Sequence, residues 1–215
     1  MKIKVCGMMV SENIEAVAAL QPDYLGFIFY PSSPRNFEKE IPLIASEIKK
    51  TGVFVDASVD FVVEKVNKYK FKAVQLHGEE SPAYCASIRY ALPETEIIKV
   101  FSVRDEFEFD ILKNYEASVD FFLFDTKGKN KGGNGYAFDW EILQNYPSKT
   151  PFFLSGGIGP EDLFKIKNFQ QHLEKSGKAD LLYAVDLNSK FETEPGYKDV
   201  EQLNEFRKIL KGTKP

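Results

Sequence analysis

The chain has 215 residues, a formal net charge of −4, 43% hydrophobic and 28% charged residues, the make-up of a soluble globular protein with apolar surface enough for one sizeable core. So mild an acidic balance argues against a general affinity for nucleic acid or an anionic membrane, and no apolar run approaches the length that spans a bilayer. Two cysteines, Cys6 and Cys85, and two histidines are too few for a disulfide framework or a structural zinc site; the expected setting is the reducing cytoplasm, with no metal.

The opening residues read as a strand rather than a leader, because Lys2 and Lys4 alternate with Ile3 and Val5. Further short runs of β-branched and aromatic residues predict strands at Tyr24–Tyr30, Val53–Asp56, Ala73–His77, Ile97–Phe101, Phe121–Asp125, Phe152–Ser155 and Leu181–Asp186, after a first strand at Ile3–Cys6. They recur at intervals of roughly 20 to 30 residues, the length of one strand–helix unit.

Helix signals fall between them. Ser58 can cap a helix whose residues Val59, Val62, Val63 and Val66 share one face. Ser81-Pro82 is a start signal, with a capping side chain before proline at the first helical position. Gly159-Pro160-Glu161-Asp162 opens another helix, and Val200, Leu203, Phe206 and Leu210 mark the core face of a last one near Lys198–Leu210. Strands alternating with helices predict a parallel sheet. An open doubly wound sheet and a closed barrel both accommodate eight strands. Even spacing and the lack of an early G-x-G-x-x-G favour the barrel, so the expected fold is an α/β, (β/α)₈ TIM barrel spanning 1–215 as a single domain.

In such a barrel the chemistry sits at the C-terminal ends of the strands. Side chains alternate along a strand, which puts Cys6 with Lys4, Gln75 with His77, and Asp125 with Leu123 and Phe121. Lys99, Asp56 and Asp186 also lie at or near strand ends, and together these polar groups are expected to converge on the barrel mouth. A plain ion-pair network filling the barrel is the competing reading for Lys4 and Lys99. Leu154-Ser155-Gly156-Gly157-Ile158 follows the seventh strand, where loops of this fold often bind phosphate, and Asn188 with Ser189 follows the eighth. Thr126–Ala137, rich in glycine and carrying Lys127, Lys129 and Lys131, reads as a basic lid, with a plain flexible linker as the alternative.

The segments KVCG (4–7), GFIFYPSSPR (26–35), GVFVD (52–56), AVQLHGEE (73–80), DTKGKNKGGNGYAFDW (125–140), LSGGIGPED (154–162), AVDLNSKFE (184–192) and PGYKD (195–199) run from end to end of the chain. In that order they resemble the phosphoribosylanthranilate isomerase family. The resemblance implies an Amadori rearrangement in tryptophan biosynthesis that converts an aminoaldose into an aminoketose, with no cofactor. It places the base on Cys6 and the acid on Asp125, and Arg35 on the anthranilate carboxylate. It also places Gly156, Gly157, Asn188 and Ser189 on the phosphate, and Gln75 and Asp186 among the substrate-binding residues. The implied partner is a small phosphoribosyl molecule, with no nucleic acid or membrane, in a monomer or homodimer.

A thiol base is expected to gain from a nearby cation, Lys4 or Lys99. An aspartic acid donor has to hold its proton at neutral pH, which burial against the apolar barrel wall favours. The sequence departs from the family pattern at Met8-Met9 and at Asn188-Ser189-Lys190, where the family commonly shows Ser-Ser-Gly. Lysine at a glycine position bears on the loop's conformation, or adds a charge to the phosphate site. The competing readings are a phosphate-ligand-binding barrel without catalysis and a related phosphosugar aminoaldose isomerase. The latter is expected to show two barrel halves and two phosphate cups, and no internal repeat is visible.

Overall fold

The computed structural model describes residues 1–104, 106–126 and 140–212. Eight parallel strands close into a barrel in chain order: β1 (Lys2–Val5), β2 (Tyr24–Phe29), β3 (Lys49–Phe54), β4 (Ala73–Leu76), β5 (Glu96–Val103), β6 (Phe121–Thr126), β7 (Phe152–Leu154) and β8 (Leu182–Leu187). Each expected strand is present. The expected lid at 126–137 lies outside the described residues, apart from Thr126 at the end of β6.

The outer layer is less regular than an even strand–helix repeat. α1 (Ser11–Ala19), α2 (Val59–Tyr69), α3 (Pro82–Ala91), α4 (Leu163–Lys175) and α5 (Val200–Leu210) follow β1, β3, β4, β7 and β8. Short 3₁₀ turns at Phe109–Asn114 and Trp140–Asn145 stand after β5 and β6, and no helix follows β2. Ser58 and Ser81 cap α2 and α3 as their sequence predicts, accepting from the backbone N–H of Phe61 and Tyr84. Gly159-Pro160 opens a 3₁₀ turn, Pro160–Asp162, before α4 begins.

Strand alternation sorts the apolar residues into two cores. The outward set, including Val5, Phe27, Phe54, Leu76, Phe101, Phe122, Phe124 and Leu154, packs under the helices. The inward set is smaller and includes Tyr24, Ala73, Ile98, Leu123, Phe153 and Ala184. Each fully buried Val, Leu, Ile or Phe side chain among them contributes about 1.5–3 kcal/mol. The N-terminal end of the barrel is closed by Tyr24, whose hydroxyl donates to Glu96 at 3.0 Å, with Lys49 and Tyr183 alongside.

After β8 the chain makes an excursion before α5. The strands β9 (Glu192–Glu194) and β10 (Tyr197–Lys198) form a small antiparallel hairpin in which Glu192 faces Lys198. Pro195-Gly196 makes its turn, with Gly196 at φ +86°.

Candidate active site

A cavity opens at the C-terminal mouth of the barrel. It is lined by Cys6, Tyr30, Arg35, Gln75, His77, Asp125, Gly157, Asp186, Asn188 and Ser189, with Ile28, Val53 and Ile158 among its apolar walls. Cys6 follows β1, His77 follows β4, Asp125 is the last residue but one of β6 and Asp186 lies in β8, so separate strands deliver the polar groups to one space. Sequence alternation anticipates this convergence for all but Lys4, Lys99 and Asp56; Lys4 faces inward but lies fully buried below the cavity, bonded to Asp186. Ile98 and Val100 are the inward residues of β5, and Lys99 points into the outer layer, where it forms a buried 2.8 Å ion pair with Glu80. Asp56, on the β3–α2 loop, accepts from the backbone N–H of Glu79 on the β4–α3 loop at 2.6 Å, away from the cavity.

Cys6 is 4% exposed. Gly26 on the adjoining strand leaves room for it, since a methyl group there would approach Sγ to 2.8 Å. Burial pushes the thiol above its ordinary range; the ammonium groups of Lys4 and Lys198 act in the opposite direction without reversing the shift. The expected net lowering of the thiol by a lysine is therefore corrected. Lys4 bears on it as anticipated, Lys99 does not, and desolvation wins.

Lys4, fully buried, donates to Asp186 Oδ1 at 2.8 Å. Burial also pushes the Asp186 carboxyl up, with Lys4 opposing. Asp125 lies beside His77, whose Nε2 is 3.3 Å from Asp125 Oδ2, and its Oδ1 accepts from the Thr126 N–H at 2.9 Å. Its side chain keeps 19% exposure, so its surroundings are polar and partly open rather than an apolar wall. Gln75 Nε2 donates to His77 Nδ1 at 2.9 Å. An amide nitrogen can only donate, so this arrangement leaves the imidazole proton on Nε2, facing Asp125. Gln75 Oε1 is buried and has no partner among the described residues.

Arg35 lies on the loop after β2. Its Nε donates to Glu192 at 2.9 and 3.0 Å, and Nη2 donates to Glu192 Oε2 at 2.5 Å. Gly7, at φ +77°, lets the chain pass here: a methyl group would come within 2.7 Å of both Arg35 Cδ and Asn188 Oδ1. On the loop after β7, Gly156 has φ +96° and packs against Thr126, whose hydroxyl donates to its carbonyl at 3.1 Å. Gly157 has φ +79° and open space above it, and Gly157 rather than Gly156 lines the cavity. No group of three or more His, Cys, Asp or Glu suited to a metal occurs among the described residues, and none of their helices is long and apolar enough to cross a membrane.

Residues 3–208 match the family model for N-(5'phosphoribosyl)anthranilate (PRA) isomerase. The chain belongs to this family. The N-(5'-phosphoribosyl)anthranilate isomerase of Parabacteroides distasonis is 44% identical over 96% of this chain and 91% of the relative. The crystal structure of the phosphoribosyl anthranilate isomerase of Thermus thermophilus is 25% identical, with a TM-score of 0.83 over the whole of both chains. A further solved phosphoribosyl anthranilate isomerase, 26% identical with a TM-score of 0.75 over 99% of each chain, holds reduced 1-(o-carboxyphenylamino)-1-deoxyribulose 5-phosphate.

Against the isomerase family pattern, Lys190 needs no glycine-like backbone. It sits in the 3₁₀ turn Ser189–Phe191, is not among the residues with positive φ, and points its ammonium at Glu161, 3.7 Å away. Sequence reasoning left Glu192 and Lys198 without a role although both lie in its matching segments. The Pro-Gly turn between them was the available signal, because it folds the two into one hairpin, and from there they reach Arg35 and Asn188 of the cavity wall.

Proposed function

We propose that in this phosphoribosylanthranilate isomerase Cys6 is the base and Asp125 the acid of the Amadori rearrangement. The observation that carries this reading is the opening of both side chains into one cavity from strands three places apart around the barrel. Asp125 donates a proton to the furanose ring oxygen as the C1′–O bond breaks, and the anthranilate nitrogen's lone pair forms the Schiff base. The Cys6 thiolate then takes the proton from C2′. The electrons of that C–H bond form C1′=C2′, and the enolamine tautomerises to the ketone. No electron carrier takes part.

The surroundings suit both steps. The His77 Nε2–H faces the oxygen of Asp125 that becomes fully anionic when the acid has given up its proton, and a hydrogen bond to an ion is stronger than one to a neutral carboxyl. Lys4 and Lys198 favour the thiolate within a buried site. A reduced thiol is required, both cysteines are free, and a reducing cytoplasm is the compartment that keeps them so.

Arg35 retains Nη1 donors with no partner among the described residues, and these take the substrate carboxylate. Gly157, Asn188 and Ser189 form the phosphate cup at the cavity wall, with Gly156 shaping the turn. Gln75 Oε1 offers its free lone pairs to a ribosyl hydroxyl, relieving a buried acceptor that otherwise costs about 1–3 kcal/mol. Asp186, held by Lys4, faces the same hydroxyls. Incubation with freshly generated phosphoribosylanthranilate tests the activity. Rapid enzyme-dependent loss of the anthranilate-type fluorescence is expected, and loss no faster than in buffer would leave a phosphate-binding barrel without this catalysis.

A further inference from the structure

Two charged residues outside the reacting pair occupy a buried place next to the cavity. Lys198 and Glu192 are cross-strand partners in the β9–β10 hairpin, with Nζ 2.6 Å from Oε1 and side chains 0% and 4% exposed. Burying an ion pair so completely is costly unless each member makes further hydrogen bonds. Each does, and the bonds run to two residues of the cavity wall. Glu192 takes the Nε–Nη2 edge of Arg35 with both oxygens. Lys198 Nζ donates to Asn188 Oδ1 at 2.7 Å.

Geometry restricts what those two wall residues can present. A guanidinium held along its Nε–Nη2 edge has its Nη1 donors left for another acceptor, and rotation about the last side-chain bonds is frozen. An ammonium can only donate, so Lys198 must meet the oxygen of the Asn188 amide. The Asn188 Nδ2 group, a donor, is then turned away from Lys198. The hairpin itself is fixed from below: Asn13 of α1 donates to the Lys198 carbonyl at 2.9 Å and accepts from its N–H at 2.8 Å. Lys198 is also close enough to Cys6 for its charge to favour the thiolate.

We propose that Glu192 and Lys198 are positioning residues: one buried ion pair that orients Arg35 toward the substrate carboxylate and Asn188 toward the phosphate. This rests on the isomerase reading given above. It assigns a task to the β9–β10 hairpin, whose two strands lie outside the closed barrel. It also accounts for asparagine at 188, whose side chain reaches the buried ammonium.

The test compares two substrates, phosphoribosylanthranilate and phosphoribosylaniline, which lacks the carboxylate. For wild type the ratio of their kcat/KM values measures what Arg35 contributes. Glu192→Gln is expected to reduce that ratio about tenfold, since one hydrogen bond to a charged group is misaligned. Glu192→Asp, which keeps the charge opposite Lys198 but is one methylene too short to grip Arg35, is expected to do the same, and serves if the Gln variant does not fold. Lys198→Met is expected to raise the inhibition constant of inorganic phosphate about tenfold. A substrate ratio unchanged in both Glu192 variants, or an unchanged phosphate constant in Lys198→Met, overturns the proposal. A wild type that turns over neither substrate contradicts the isomerase reading itself, which separates the two failures.

Discussion

Lys4 and Asp186 are register partners on the neighbouring strands β1 and β8, and their side chains form a buried 2.8 Å ion pair one inward position before Cys6. The pair thus follows from the barrel's own register. Its ammonium serves two anions, because Lys4 lies near enough to Cys6 to favour the thiolate, while burial holds the thiol above its ordinary range. The active fraction of such a base rises tenfold per pH unit until its raised pKa is reached. Lys4→Met removes a larger influence on Cys6 than the Asp186 charge it leaves behind. The rising limb of kcat/KM against pH is therefore expected to move to higher pH, with activity at neutral pH falling. A limb that stays in place would show that Lys4 does not tune the thiol.

His77 bears on the other half of the reaction. With Gln75 fixing its tautomer, it donates toward the oxygen of Asp125 that becomes anionic in the ring-opening step. His77→Asn is expected to lower kcat about tenfold to a hundredfold, the worth of one hydrogen bond to a charged group, with little change in KM. Steady-state kinetics over a range of substrate decide this, and a rise in KM alone would make His77 a binding residue.

Much of this was legible in the sequence. The eight strands were marked by β-branched and aromatic runs, and the caps of α2 and α3 by Ser58 and Ser81. Alternation correctly paired Cys6 with Lys4 and Gln75 with His77. It failed for Lys99, because the period of a strand separates its two faces without saying which is inside. A charged residue can face the helices when a distant partner meets it, and Glu80 does so here. The grip of Glu192 on Arg35 joins residues 157 positions apart, a link that no local pattern reports. The missing helix after β2 is better explained in hindsight by Pro31, Pro34 and Pro42, which break any helical run there.

The Lys99–Glu80 pair separates stability from catalysis. Both side chains are nearly fully buried, and neither lines the cavity. Lys99→Met leaves Glu80 buried without its cation, so a loss of about 3–5 kcal/mol is expected. Denaturant unfolding would measure it, and kcat/KM of the folded fraction is expected to remain within about twofold of wild type.

Acid stability provides an independent reading of Glu192. Burial alone would lift its carboxyl, but the hydrogen bonds and charges of Arg35 and Lys198 more than offset this and hold it below the ordinary glutamate range. A carboxyl depressed in the folded state stabilises fully above its unfolded pKa, near about 4.3, and loses that contribution as pH falls through the lower folded value. Urea unfolding in this acid window is expected to show a shallower decline for Glu192→Gln than for wild type. Equal slopes would mean that Glu192 titrates alike in both states.

The most direct test of the central claim is single-turnover conversion of phosphoribosylanthranilate by Cys6→Ser and Asp125→Asn beside the wild type. Each variant removes one proton-transfer group while nearly preserving shape, and each is expected to slow the reaction about a hundredfold to ten-thousandfold with substrate still bound. Turnover by either variant at the wild-type rate would contradict the assignment of base and acid.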